Sequence, residues 1–246
     1  MDMVKCLLDD GIDINSPSLL PLISAAYSNQ IEMVKYLLAR GAAVNAVDCN
    51  TGGSGGTALH SGVGASYEMV NLLLHAGAAV NVPDRSGTTP LMNALYSLDV
   101  ALLLLANGAD ANARTNDGVT ALMYAAGRHY PDMIQGLVDR GADVNAQNNE
   151  GLTPLMYTTG AIDRIDDPRT VRILIDNGAD LNLRSRGGWT ALMFAANQGL
   201  TEAAQVLINK GADRNITNDR FESALKLAMQ NGHEKMIQIL HSGLNQ

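Results

Sequence analysis

One phrase constrains this chain more than any other: Gly-Ala-Asp-x-Asn or a near relative, repeated seven times in 246 residues. It opens at Gly11, Gly41, Gly77, Gly108, Gly141, Gly178 and Gly211 and closes at Asn15, Asn45, Asn81, Asn112, Asn145, Asn182 and Asn215. Successive glycines are 30, 36, 31, 33, 37 and 33 residues apart. A period of this size means stacked units that each contact their neighbours. Such a chain has no single deep pocket by default, so the expectation is a binding surface and not an enzyme.

A second phrase keeps step with the first. It reads Thr57-Ala58-Leu59-His60, Thr89-Pro90-Leu91-Met92, Thr120-Ala121-Leu122-Met123, Thr153-Pro154-Leu155-Met156 and Thr190-Ala191-Leu192-Met193. Leu20-Pro21-Leu22-Ile23 and Ser223-Ala224-Leu225-Lys226 are weaker copies. Each Thr is placed to cap a helix, its hydroxyl accepting from the first turn's unsatisfied N–H groups. Pro or Ala follows at the first helical position, where a missing N–H costs nothing. Each repeat glycine stops the following helix, because it enters the left-handed region without a side-chain clash. One unit is therefore turn, short helix, short helix, glycine.

These paired phrases at fixed phase, with Ala-Ala and Leu-Leu between them, resemble the ankyrin repeat family over essentially the whole chain. The resemblance implies an all-α solenoid of stacked helix-turn-helix repeats, with hairpin-like fingers projecting from one edge. It also implies a concave face of fingers and first helices that binds other proteins; no motif in the residues calls for a cofactor. Met replaces the family's usual His at four helix starts, Met92, Met123, Met156 and Met193. There a flexible thioether packing against apolar neighbours is expected instead of a hydrogen bond.

Phase sets the units. Residues 1–15 read as the second half of a truncated repeat, since Met1–Asp10 aligns without gaps on Ile31–Arg40. Six complete repeats follow at 16–45, 46–81, 82–112, 113–145, 146–182 and 183–215, and 216–246 reads as a C-terminal capping repeat. In that last unit Lys235 and Gln238 stand where earlier units are mostly apolar, which gives a wettable outer face. The period breaks at a short first finger (Asn15 to Leu20), at a Gly-rich loop (Cys49 to Gly56) and at an insertion between two helices (Ile162 to Arg169). The third complete unit is shortened in that same place, at Ser97-Leu98-Asp99.

Hydrophobic residues make up 46% but aromatics only 4%, which fits thin layers of Ala and Leu. The net charge of −8 repels a nucleic-acid backbone, so nucleic acid is a poor partner and a protein with a basic patch a better one. Cys6 reads as a small core residue and Cys49 as an exposed loop residue, with no disulfide or metal-ligand spacing. No secretory signal and no apolar run of membrane-spanning length is present, so the expected setting is reduced and cytoplasmic. A monomer is expected unless the open first repeat self-associates. A targeting arm of a larger enzyme or toxin, or an immunity-type inhibitor, are the alternatives to a stand-alone interaction module.

No constellation of residues in the sequence points to catalysis or metal binding. Asp163, Asp166 and Asp167 lack the ligand order of a calcium loop and read as a solvated turn, with Asp167-Pro168 opening the next helix. The histidines His60, His75, His129, His233 and His241 are scattered, and His60 is placed for a structural hydrogen bond. Recognition residues are more legible. Trp189, the sole tryptophan, sits on a finger with Arg184 and Arg186; Trp and Arg most often dominate interface energy. The alternative is a Trp folded against the next finger beside solvated arginines. Tyr124, Tyr157 and Phe194 share one position in consecutive units and form a ladder that either packs repeats or meets a partner. Arg128, Asn197 and Gln198 follow the first helices' Ala-Ala pairs and border the groove the resemblance implies. Arg85, Asn116, Asp117, Asn149, Glu150 and Asp219 are finger-tip positions. The contact region expected is 113–198, centred on Trp189, Tyr157 and Tyr124.

Overall fold

The computed structural model describes residues 13–16, 20–48, 54–160 and 165–242. The expectations for Met1–Asp10, Cys6 and Cys49, for most of the Gly-rich loop, and for Ile162, Asp163 and Arg164 lie outside them. The chain falls into two compact units, Met1–Asn116 and Asp117–Gln246.

In the first unit the helices are α1 (Pro21–Tyr27), α2 (Ile31–Ala39), α3 (Ala58–Gly62), α4 (Tyr67–His75), α5 (Pro90–Asn93) and α6 (Leu98–Ala106). They pair as α1–α2, α3–α4 and α5–α6, with α3 packed against both α1 and α5. The second unit holds α7 (Ala121–Gly127), α8 (Pro131–Val138), α9 (Pro154–Gly160), α10 (Pro168–Asp176), α11 (Ala191–Gln198), α12 (Thr201–Asn209), α13 (Ala224–Gln230) and α14 (Glu234–His241). Its first helices α7, α9, α11 and α13 pack in one row, and its second helices α8, α10, α12 and α14 in another. The described residues contain no strand, only an isolated antiparallel bridge between Thr217 and Ser223.

Residue type explains the two rows. A first helix is flanked by its predecessor, its successor and its own partner, so it is buried nearly all round. In α11, between α9 and α13, that means Ala191, Leu192, Met193, Ala195 and Ala196. Alanines let the backbones approach closely. The methionines at the family's His position, Met92, Met123, Met156 and Met193, are all buried, as expected of apolar packing. Second helices bury one stripe only, Met133, Ile134 and Leu137 in α8. In α14 the expected change is seen: Lys235 and Gln238 are exposed, while Met33, Met69, Val100, Met133, Thr170 and Ala203 at the position of Lys235 are buried.

The helix ends are set locally. Thr120, Thr153, Thr190 and Ser223 accept from the N–H of Met123, Met156, Met193 and Lys226 at 3.3–3.4 Å. Thr89 departs from the expectation: its hydroxyl is buried without a hydrogen bond, in the shortened unit whose first helix α5 is a single turn. Each stop glycine from Gly41 to Gly211 has φ between +85° and +96°. The N–H of the next residue then reaches back to the helix, as from Ala142 to the Leu137 carbonyl at 3.1 Å and from Ala179 to Leu174 at 2.9 Å. This Schellman closure satisfies a carbonyl that the helix leaves open and tucks the alanine under it.

At Thr57 a histidine changes the cap. The Thr57 N–H and hydroxyl both lie 3.0 Å from His60 Nδ1, which makes that nitrogen the acceptor. Nε2 then carries the proton and donates to the Thr88 carbonyl at 3.1 Å, joining two repeats. The structural hydrogen bond expected of His60 is thus present. Burial pushes its pKa below the ordinary 6.5, only partly offset by the Thr88 carbonyl. Below the unfolded-chain value the unfolded state binds a proton that the folded His60 resists. Stability from this site is therefore present above that value and falls as pH drops through it towards the lower folded value. Replacing His60 with Met, as four sister repeats have done, should flatten that part of the profile. Melting temperatures of both chains between pH 8 and 5 check this: the wild type should lose ground to the variant on acidification, and parallel curves would contradict it.

The phrase asparagines join neighbouring repeats. Asn45 donates to the Gly77 carbonyl (3.2 Å) and accepts from the Ala79 N–H (2.7 Å). Asn81 makes the same pair with Gly108 (2.9 Å) and Asp110 (2.9 Å). In the second unit Asn145 does so with Gly178 (3.0 Å) and Asp180 (2.8 Å), and Asn182 accepts from Asp213 (2.9 Å). Only a side chain with both a donor and an acceptor bridges a carbonyl and an N–H together. The phrase aspartates hold the turn itself, as when Asp143 accepts from the Asn145 N–H at 2.9 Å.

The insertion corrects one expectation. Asp167 caps α10 as foreseen, accepting from the Arg169 N–H at 3.0 Å. Asp166 is not a solvated loop residue. Its carboxylate accepts from the N–H groups of Glu202 and Ala203, both at 2.8 Å, in the first turn of α12 in the next repeat. The residue at the N-cap of α12 is Leu200, which has no side-chain acceptor, so the neighbour supplies a charged one.

Candidate binding surface

Four of the described fingers are turns closed around the third residue after the phrase asparagine. In the second unit Asn148 accepts from the N–H of Glu150 (3.0 Å) and Leu152 (2.8 Å), and Asn218 from those of Arg220 (2.9 Å) and Glu222 (3.0 Å). Ser185 does the same for Trp189 at 3.2 Å. In the first unit Asp84 accepts from Ser86 and Thr88, both at 2.8 Å. Fingers are then joined through backbone. Asn149 donates to Asp117 (2.9 Å), Arg186 to Glu150 (2.8 Å) and Asp219 to Gly187 (3.2 Å). Within the first unit Arg85 donates to Ser54 and Asn116 to Ser86, both at 2.9 Å.

The aromatic positions are brought together by the helices beneath. Tyr124 and Tyr157 pack on a buried cluster of Val119, Met123 and Ala146. A Cβ added at Gly127 would lie 3.2 Å from the Tyr157 ring, and one at Gly160 would lie 3.0 Å from Phe194. The bare glycines ending α7 and α9 are thus shelves on which the next repeat's aromatic residue rests. Asn148 donates to the Tyr157 hydroxyl at 3.1 Å, fixing the ring to its own finger. Burial raises the Tyr157 pKa, so the phenol stays neutral. Trp189 and Phe194 stack with centroids 5.0 Å apart, tilted 34°. Trp189 is half-buried in that pair, neither fully projecting nor lost in the core. The Arg128 guanidinium lies over the Tyr124 ring, 5.7 Å from its centroid.

Other expected contact residues are partly engaged inside the fold. Arg184 donates to the carbonyls of Gly188 (3.3 Å) and Thr217 (3.2 Å) and to the Asp219 carboxylate (3.1 Å), so its fork braces two fingers. Asn197 accepts from the Asn231 side chain at 3.0 Å, and its carbonyl lies 3.1 Å from His233 Nε2. Asn116, in the first unit, donates from its side chain to the Arg85 carbonyl at 2.9 Å. Arg186 and Asp117 are exposed and Gln198 is half-buried. Sequence reasoning missed Asn148, although an acceptor three residues past the phrase asparagine, repeated as Asp84, Ser185 and Asn218, was a readable signal.

A surface hollow containing Gly199, Thr201 and Glu234 is open, and its His233 is the residue already set against Asn197. Among the described residues no group of three or more His, Cys, Asp or Glu is placed to hold a metal ion. Among them too, no helix is long and apolar enough to cross a membrane.

A family model described as ankyrin repeats (3 copies) matches residues 22–115, 64–148, 92–164 and 159–246. The chain belongs to the ankyrin repeat family. Its fold is also similar to the crystal structure of the ankyrin repeat domain of Bcl-3, described as a unique member of the IkappaB protein family. The likeness has a TM-score of 0.75 at 28% identity and covers 89% of this chain and 97% of that one. No curated protein sequence matches the chain. Ankyrin repeats are generally protein–protein interaction modules and typically not enzymes, which agrees with a surface of braced fingers and half-buried aromatic residues.

Proposed function

We propose that the chain binds a partner protein through the finger and first-helix face of residues 117–198, with Trp189, Phe194, Tyr157, Tyr124 and Arg128 at its centre. The Trp189–Phe194 stack carries this reading. It is half-buried, held on a glycine shelf, and flanked by fingers whose backbones are tied together. Aromatic rings that are fixed before binding cost little ordering entropy when a partner covers them. Arg186, Asp117, Asn197 and Gln198 form the polar border. The net charge of −8 favours a partner with a basic patch, whose association slows as salt is raised. The test uses the intact chain as bait, then titrates the purified retained protein against wild type and Trp189→Ala. The variant should bind weaker by more than about 1 kcal/mol, roughly fivefold. Equal affinity, with an unchanged melting transition, would remove Trp189 from the site.

A further inference from the structure

Among the described residues, four that are not glycine have positive φ: Leu20, Asn29, His129 and Phe221. Leu20 and His129 are buried, and asparagine tolerates this region. Phe221 is different. Its φ is +57°, yet its side chain is 83% exposed. It stands six residues after Asn215, the place that Gly87, Gly118, Gly151 and Gly188 occupy in other fingers with φ of +72° to +80°. A bulky residue there is strained, and strain persists only where the surroundings enforce it. Asn218 enforces it by accepting from Arg220 and Glu222, while the Phe221 N–H donates to the Asn218 carbonyl at 2.9 Å. An exposed ring returns no core packing for that strain.

The same turn is tied to the finger that carries Trp189. Asp219 pairs with Arg184 at 3.1 Å, and its N–H reaches the Gly187 carbonyl. We propose that Phe221 is an aromatic anchor held outward by its turn, which inserts into an apolar pocket of the protein that docks on the finger face. A convex, isolated ring fits a concave apolar site on a folded partner, and its fixed backbone removes the entropic cost of presenting it. This inference rests on the proposed function and extends its surface beyond residue 198.

Phe221→Gly separates anchor from structural residue, because the two effects have opposite sign. Glycine relieves the backbone, so the melting temperature should rise by about 2–4 °C. The affinity for the purified protein retained by the full wild-type chain should fall at least tenfold. Phe221→Asn, a polar residue at home in this conformation, should behave alike. An unchanged or lower melting temperature overturns the strain, and an unchanged affinity overturns the anchor. Sedimentation showing that the wild type self-associates and Phe221→Gly does not would assign the ring to a second copy and overturn the proposal. Trp189→Ala is titrated alongside. If it weakens binding and Phe221→Gly does not, only the anchor falls; if neither does, or nothing is retained, the proposed function falls too.

Discussion

Leu174→Ala should destabilise the protein by about 2–5 kcal/mol, read as a shift of the urea midpoint. Leu174 is fully buried in α10, which packs against α8 on one side and α12 on the other. Its carbonyl also receives the Ala179 N–H that closes the helix. Removing the side chain leaves a cavity bordered by three repeats, and a row of stacked helices has few ways to collapse into it. Because each repeat is supported only by its neighbours, the damage reaches both interfaces of that layer. Leu174→Met keeps the volume and should cost less than about 1.5 kcal/mol. A loss for the alanine variant as small as for the methionine one would mean that the layer is loosely packed.

Gly151→Val carries the second large effect, from backbone and not from a core. Gly151 has φ of +72°, where a β-branched residue is strained by about 1–2 kcal/mol. A Cβ there would also lie 3.0 Å from the Arg186 nitrogen and 3.1 Å from the Ser185 Cα. Those atoms belong to the next finger's backbone and cannot swing aside, so overpacking adds about 1–3 kcal/mol. The Arg186–Glu150 bond at 2.8 Å is the first to give way. Gly141 is the control: its φ is +85°, but nothing lies within 4 Å of its added Cβ. Gly141→Ala should show the conformational cost alone, and Gly151→Val should be clearly the worse of the two in the same urea titration.

Local signals were readable from the chain, and signals that cross between repeats were not. Thr120, Thr153 and Thr190 announce helix starts because a cap bonds within three residues, and Gly141 or Gly178 announces a stop for the same reason. The buried methionines followed from the resemblance, which sets them at the family's His position, where a thioether is expected to pack. Asn145 was visible as part of a phrase, but its partners Gly178 and Asp180 lie more than thirty residues on, and only stacking brings them within reach. Asp166 looked like one carboxylate in a polar loop, because its role depends on Leu200 leaving the next repeat's helix uncapped. Arg184 shares a finger with Trp189 in the sequence, yet its pairing with Asp219 comes from the finger after. At the candidate surface the direction of each side chain was not legible. Trp189 turned out to lean on Phe194 of its own repeat.

The binding reading requires fingers that are rigid before any partner arrives. Amide hydrogen exchange on the unliganded chain measures this most directly. The N–H groups of Asn149 and Arg186, which cross from one finger to the next, should exchange far more slowly than those of an unstructured peptide. Exchange at the rate of an open chain for both amides would show fingers that are not joined in solution, and a pre-shaped docking face would then be contradicted.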